Sequence, residues 1–599
     1  MINLSNRTTN IIAACLLIFV FIITVLSIKD DSLTMDEVAH LPAGYSYLTQ
    51  KDMRLNPEHP PLIKDLAALP LLFIKDIKFP SDISAWREDV NGQWDFGRYF
   101  LYQTENPVEK MIFLGRILMI LVLILLGFYI FKWTRELFGN CTALLALFLF
   151  SFSPTFLAHG RLINTDIGAT IGIFVAVYYF VKALKFPTLR NIIIAGIAFG
   201  IAQLLKFSAI LLVPLFGLLG LVWWSMKLAT FRQTIKIGLL IFVVGFLLIW
   251  PIYQFHVWNY PPEKQTTDTQ VYLRDTVGFV KNPILWATDK PIIRAYAHYF
   301  TGLAMIFHRV AGGNTTYFLG EVSNLGWAPY FPIVYLIKEP LTFHILTLIA
   351  ILYALWLLFR NPFWKDVKNK TTKWIKAHFP ELAMLAFIAI YWTVSIKGSL
   401  NIGVRHLLPV FPFTIILVSA MTVKLLKKPY LKIKYIILII LILWQAFSVI
   451  SIHPHFLAYF NEFIGGPANG YKYVVDSNLD WGQDLKRLKN WTNVNNIEKI
   501  YIDYFGGSSP EHYFKEKFSP WWGTRDPKEL PQGSYLAIST TSLQGGRGKK
   551  IPGLEGPEDY YLWLNKYQPV AKIGYSIFVY KIEEINISSL DSVETSSID

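Results

Sequence analysis

The chain is nearly without cysteine: Cys15 and Cys141 are the only two in 599 residues, and both fall within or beside apolar runs. They build neither a disulfide framework nor a cysteine-based metal site. Also missing is a glycine-rich loop of the Walker or dinucleotide type between a strand and a helix, so direct use of ATP or a nucleotide-sugar is not expected. No interval suggests an internal repeat. Charge is scarce as well. Only 16% of the residues are charged while 53% are apolar, with mean hydropathy +0.38, a balance far richer in apolar residues than a soluble globule.

What the chain has instead is long apolar runs, each close to the roughly 20 residues that cross a bilayer. About eleven spans are expected, at roughly 10–28, 111–131, 141–158, 166–184, 191–206, 207–226, 237–254, 340–359, 380–396, 408–424 and 434–452. They must be helices, because lipid offers the backbone no hydrogen-bond partner. The fifth and sixth would form a tight hairpin. The predicted class is therefore a polytopic α-helical membrane protein.

Lysine and arginine near span ends are retained on the cytoplasmic side. One alternating set of loops is basic, including Lys132 and Arg135, Lys182, Lys185 and Arg190, Lys227, Arg232 and Lys236, the cluster from Arg360 to Lys376, and that from Lys424 to Lys434. The other set holds the long aromatic-rich loops 29–110 and 255–330 and everything after Ile452. An odd number of spans follows, with the N-terminus inside and the C-terminus outside the cell membrane. The net charge of +14 reads as topology and attraction to anionic lipid rather than as a nucleic-acid surface. "SIKDDSLT" after the first run offers no small-residue cleavage site, so a retained anchor is expected.

Three parts are expected: a transmembrane part, 1–452; an extracytoplasmic α/β domain, 453–585; and a disordered tail, 586–599. The strands of the second should lie in "KIYIDYF", "SYLAIST" and "KIGYSIFVYKI", with a helix in "DWGQDLKRLKNW". The serine-rich acidic end has too little to bury. In the first outer loop, "PLIKDLAALPLLFIKDI" is too short and punctuated for a span. It is expected to lie at the interface with Lys64, Asp65 and Lys75 toward water.

The outer face also gathers charge. Asp36 and Glu37 follow the first span, and on a helix Asp36 and His40 would share a face. Asp166 begins the fourth span. Lys206 interrupts an apolar run where the chain should reverse, Arg116 lies in the outer turn of the second span, and Arg405 stands at the mouth of the tenth. A polar flank, a helix-start acid or a snorkelling cation would each explain one of these. Together, three cations and two acidic sites suit a phosphate-bearing lipid.

"DEVAHLPAGYSYL", then "NPEHPPL", Arg116 in "FLGRIL", Asp166, and "VRHLLPVFP" resemble the dolichyl-phosphate-mannose protein mannosyltransferase-like enzymes, specifically the bacterial glycosyltransferase family 39 branch of the GT-C fold. The stretch "HPHFLAYFNEFIGGPANGYKYVVDSNLDWGQDL" is also similar to one carried by some bacterial members. The resemblance implies transfer of a sugar from a polyisoprenyl phosphate to an acceptor outside the membrane, with inversion. It puts the family's first-loop catalytic acid on Asp36 and other charged positions on Glu37, Arg116 and Arg405. One departure stands out: Pro57 occupies the place of an acid two residues before His59, with Glu58 beside it.

Chemistry agrees with this assignment. An acceptor hydroxyl needs a carboxylate to take its proton, and Asp36 is the expected base, with Glu37 grouped beside it. The departing phosphate needs cations, with Lys206, Arg405 and Arg116 as candidates. His40, His59, Glu37 and Asp166 would orient base or substrate, while Pro60 and Pro61 fix the turn that aims His59. No cofactor is assigned, and family members differ in whether a metal is bound. His453 and His455, split by Pro454, read as structural; Asp480, Trp481 and Asp484 read first as helix-start residues, with sugar contact as the second choice. A transporter or flippase of lipid-linked glycans is the rival reading. It would place charges at mid-membrane and often shows duplicated halves.

Overall fold

The computed structural model describes residues 4–360, 366–427 and 432–583; the acidic end at 586–599 lies outside the described residues. Among these, nine helices are long and apolar enough to cross a membrane, the first Asn6–Ile28 (α1) and the last Ile433–Ser451. Two further apolar helices, Asn140–Ser151 and Leu189–Leu205, have only 12 and 17 residues, and at about 1.5 Å per residue they fall short of a hydrocarbon core of about 30 Å. Eleven apolar helices thus answer to eleven apolar runs, nine of them at full length. The run expected at 141–158 breaks because Ser153 caps a new short helix whose first residue is Pro154. Ser at the cap and Pro at the first position both start helices rather than continue them.

The elements that frame the site come in chain order. They are α2 (Glu37–Gln50), α3 (Leu62–Ala68), α4 (Val108–Phe138), α5 (Thr165–Lys185), α6 (Leu189–Leu205) and α7 (Arg294–Gly312). Pro61 stands at the cap of α3, so the double proline does start a helix there. The orientation expected for Lys64 and Asp65 is overturned. Lys64 is fully buried, with its Nζ 2.8 Å from the Tyr47 hydroxyl, Asn56 O, Asn56 Oδ1 and His59 O. Asp65 is held 2.9 Å from His256 Nε2. These partners replace water inside the loop, and burial lowers the Lys64 pKa to about 7. The face that remains exposed is the apolar one, with Leu69, Leu72 and Phe73, while Lys75 is exposed beside it. At Gly302 of α7, a Cβ would lie 2.2 Å from Pro57 O; only glycine lets this helix reach the turn that carries His59.

Beyond the last long helix the chain forms a five-stranded sheet, with a separate three-stranded ribbon. The ribbon pairs β1 (Thr316–Phe318) with β2 (Glu321–Ser323), and β2 in turn with β6 (Lys549–Lys550). It ties the 255–330 loop to the C-terminal region. The larger sheet runs β4-β3-β5-β8-β7, built from β3 (Ile500–Asp503), β4 (Phe518–Pro520), β5 (Tyr535–Ser539), β7 (Ala571–Ile573) and β8 (Ile577–Lys581). β4, β3 and β5 are parallel, and β8 pairs antiparallel with both β5 and β7. Helices α8 (Leu485–Val494) and α9 (Thr540–Arg547) pack with it. The "DWGQDLKRLKNW" stretch is helical only from Leu485, since the residues before it serve as connectors.

Those connectors strap the sheet to the segment before α2. Ser32 N donates to Gln483 O at 2.8 Å and Met35 N to Trp481 O at 3.0 Å. Beneath them lies a clasp of buried charge: Asp31 accepts from Arg161 and sits 2.7 Å from Arg487, which reaches Asp484 at 2.6 Å. Asp31 and Asp484 side chains are fully buried, so removing one partner strands a charge in low dielectric. Arg487→Ala is expected to cost about 3–5 kcal/mol, read as a large drop in the thermal unfolding midpoint of the detergent-solubilised protein. A loss below about 1 kcal/mol, the worth of an exposed pair, would show that the clasp supports nothing.

Candidate functional site

The charged residues singled out in the sequence converge at one end of the helical bundle, the end that carries the sheet. Asp36 caps α2, Asp166 is in the first turn of α5, Lys206 follows the last residue of α6, and Arg405 opens the helical stretch Val404–Leu426. Each side chain is thus placed by a helix start or stop. Lys206 sits in extended backbone, φ −161° and ψ 140°, where the chain leaves α6.

Arg405 is the hub. Its Nη1 donates to Asp36 Oδ2 at 2.9 Å and to Asp166 Oδ2 at 3.0 Å, while Nε donates to Ser477 Oγ at 3.0 Å. The guanidinium carbon lies 4.2 Å from the ring centroid of Trp481, a cation over an aromatic face. Nη2 has no hydrogen-bond acceptor among the described residues. Lys206 Nζ completes the row at 2.5 Å from Asp166 Oδ1. Two carboxylates therefore face two cations, and the site is close to neutral before any substrate enters.

Exposure separates the acids. Asp36 retains 23% of its side-chain surface, against 2% for Asp166 and none for Glu37, and Asp36 Oδ1 has no protein donor among the described residues. Glu37 takes the opposite course. Its oxygens accept from Arg116 Nε at 2.8 Å and Nη2 at 2.6 Å, from Thr34 N and Oγ1, and from Ile163 N at 3.0 Å. Burial opposes its ionisation, but the Arg116 guanidinium and these donors hold the carboxyl below its ordinary range. Arg116 spends its other donors on Asp31 O and Ser32 O. Adjacency in the sequence does not carry into space: Glu37 and Arg116 form a sealed bidentate pair behind Asp36, with no free edge toward the opening.

Two of the expected histidines line the same region. His40 Nδ1 is 3.1 Å from Ile163 O, and its ring meets His59 edge-on at 5.4 Å. Burial lowers both pKa values, that of His59 strongly, and so favours the neutral ring in each. The His59 Nδ1 is buried without a partner, as is Nε2 of His406. Glu58 stays with the loop, accepting from Gln93 Nε2 at 2.7 Å.

Some of the site was not anticipated. Ser477 and Trp481 wrap Arg405, and Asp476 adds a further carboxylate; all three come from the "DSNLDWGQD" stretch, which read first as helix capping. Asp480 in fact accepts from Thr541 N at 2.9 Å, and Asp484 from Ser576 Oγ at 2.6 Å. These acids fasten the stretch to the sheet. Gly403 permits the approach, since a Cβ there would lie 2.2 Å from Ser477 Oγ. Arg309, exposed on α7, bears electrostatically on His59 and Asp476. No signal in the sequence marks it, because a lone arginine near a helix end is ordinary. Among the described residues no three His, Cys, Asp or Glu side chains converge as a metal-ligand set.

Residues 107–251 match the family described as dolichyl-phosphate-mannose-protein mannosyltransferase. Arg116, Asp166 and Lys206 lie inside that stretch; Asp36 and Arg405 lie outside it. No curated protein matches the chain. Among solved structures, similar chains include the archaeal oligosaccharyltransferase AglB from Archaeoglobus fulgidus, in complex with an inhibitory peptide and a dolichol-phosphate. It is 12% identical with TM-score 0.45, over 90% of this chain and 71% of that one. ArnT from Cupriavidus metallidurans bound to undecaprenyl phosphate is 12% identical with TM-score 0.43, over 96% and 98%. The S. cerevisiae Pmt1-Pmt2 complex bound to the sugar donor is 20% identical with TM-score 0.32, over 43% of this chain and 34% of that one. None of the three is near enough in sequence or shape to bring a residue's role across.

The two neighbouring acids should behave differently when neutralised. Glu37→Gln breaks a buried bidentate pair and is expected to cost about 3–5 kcal/mol, seen in the unfolding midpoint. Asp36→Asn leaves Arg405 paired with Asp166 and should cost no more than about 1 kcal/mol. Equal losses would refute the division between a sealed pair and an open acid.

Proposed function

We propose that the chain, whose residues 107–251 match the dolichyl-phosphate-mannose-protein mannosyltransferase family, is a membrane glycosyltransferase that moves a sugar from a polyisoprenyl phosphate to a hydroxyl acceptor. The observation that carries this reading is the row Asp36–Arg405–Asp166–Lys206, with one acid open to solvent and its cations backed by a buried one. A transporter would instead place its key charges near mid-membrane. The basic span-end residues Lys132 and Arg135 fall at the far end of α4 from Arg116, which supports an extracytoplasmic site.

In this reading the donor phosphate sits against Lys206 and Nη2 of Arg405, the donors with hydrogens to spare. Asp36 Oδ1 accepts the proton of the acceptor hydroxyl as the oxygen attacks the sugar C1. The C1–O bond to phosphate breaks, and polyisoprenyl phosphate leaves with the electron pair. Attack from the face opposite the phosphate inverts C1. The leaving group is already an anion, so it needs cations and no proton. Asp166 keeps both cations in place, and the neutral rings of His40 and His59 offer hydrogen bonds without adding charge. Glu37 and Arg116 are positioning residues that fix the start of α2 and so the reach of Asp36. The acceptor is a protein, lipid or glycan hydroxyl.

The test is sugar transfer by purified protein from a panel of radiolabelled polyisoprenyl-phosphate sugars. Asp36→Asn is expected to lower kcat by about 10²–10⁴ while donor binding stays within a factor of about two. Lys206→Met should chiefly weaken donor binding, by about tenfold, since a charged hydrogen bond is worth about 1.5–3 kcal/mol. Full activity in Asp36→Asn would remove the base. Bound lipid without transfer from any donor would favour the transporter.

A further inference from the structure

The mechanism above leaves one carboxylate at the site without a task. Asp476 follows the last long helix by 25 positions in sequence, yet it stands at the hub. Its Oδ1 accepts from Ser477 N at 2.5 Å, and the Ser477 hydroxyl accepts from Arg405 Nε. Arg405, Asp36 and Arg309 all act on it electrostatically. Its Oδ2 has no donor among the described residues.

The backbone at Asp476 is left-handed, with φ 56°. That region is uncommon for any residue with a Cβ, though Asn and Asp tolerate it best. The turn is held by Asp476 N donating to Thr541 Oγ1 at 3.1 Å and by Asp480 N donating to Asp476 O at 2.8 Å. An asparagine would make the same turn and accept the same bond from Ser477 N. The negative charge is therefore not needed for the shape. It is costly to keep, because burial pushes the carboxyl up to about 6 in spite of Arg405. The charge helps to offset the buried Arg405 guanidinium, but Asp36 and Asp166 already meet that group by hydrogen bonds, which leaves Oδ2 of Asp476 available to a ligand.

That ligand is not the donor phosphate, which a carboxylate repels. We infer that Asp476 is a substrate-contacting residue on the acceptor side. Its Oδ2 receives a hydrogen bond from a donor group adjacent to the hydroxyl that Asp36 deprotonates. The acceptor class that fits carries such a neighbouring donor, as a vicinal diol or a backbone amide N–H beside a serine or threonine does. Asp36 then supplies the base and Asp476 the register, both within the electrostatic reach of Arg405. This rests on the transfer reading above.

Asp476→Asn tests the inference, because it preserves the turn. With the hydroxyl acceptor that the wild type uses best, from a panel of Ser/Thr peptides and glycans, the acceptor KM should rise about tenfold. The unfolding midpoint, the donor Kd and the rate of donor hydrolysis by water should not change. In the wild type the acceptor KM should also climb as pH falls below about 6, since protonation removes the accepting charge; in Asp476→Asn that limb should be absent. Asp36, Arg405 and Arg309 are the charged groups that act on it, with Tyr330 a further titratable group in its field, and all four remain. An unaltered KM, or a fall in midpoint and donor affinity together, would overturn the inference and leave Asp476 a turn residue. A wild type that neither transfers nor hydrolyses any donor would instead sink the transfer reading, and this inference with it.

Discussion

The guanidinium of Arg405 is the constraint on which the site depends. One planar group with several fixed donors joins the first loop at Asp36, the start of α5 at Asp166 and the post-membrane segment at Ser477, and sits over the ring of Trp481. A lysine could meet several acceptors only around a single nitrogen; the fork of arginine reaches them from separate nitrogens at set angles. Desolvating that charge is costly, and it is offset here by the number of partners rather than by any single pair. The consequence is a carboxylate with one oxygen immobilised and the other free, a geometry suited to taking a proton in a set direction.

Around this hub the protein uses charge in two ways. Glu37 with Arg116, and Asp31 with Arg161 and Arg487, are closed pairs with essentially no surface on their carboxylates. They hold the segment before α2 against α4 and the sheet. The Asp36, Arg405 and Lys206 group keeps some surface and spare donors. The distinction is one of saturation, since a group whose lone pairs and protons are all spent has nothing left for a ligand.

Much of this was legible in the sequence, and the exceptions have physical causes. The apolar runs gave eleven helices because lipid leaves the backbone no alternative. Chain position at helix starts and stops brought Asp36, Asp166, Lys206 and Arg405 to one end, since span ends share a depth. The sealing of Glu37 by Arg116 was illegible, because the two lie on different elements and local spacing does not say which distant cation an acid meets. Lys64 looked amphipathic, yet its solvent is the loop's own carbonyls and the Tyr47 hydroxyl. Ser477, Trp481 and Asp476 were in view as a motif, but their contacts are long-range, and local spacing carries no information about which distant cation they meet.

The separation along the chain between Asp36 and Ser477, both hydrogen-bonded to Arg405, also sets an order of events in synthesis. The acid is made 369 residues ahead of Arg405, while the stretch that closes over the guanidinium follows all nine membrane-length helices among the described residues. Closing so distant a loop is slow, and it comes after the bundle has formed. A nascent chain still short of Ser477 therefore holds Asp36 without its finished surroundings, so the acid is not fixed in its working position until Ser477 has been made.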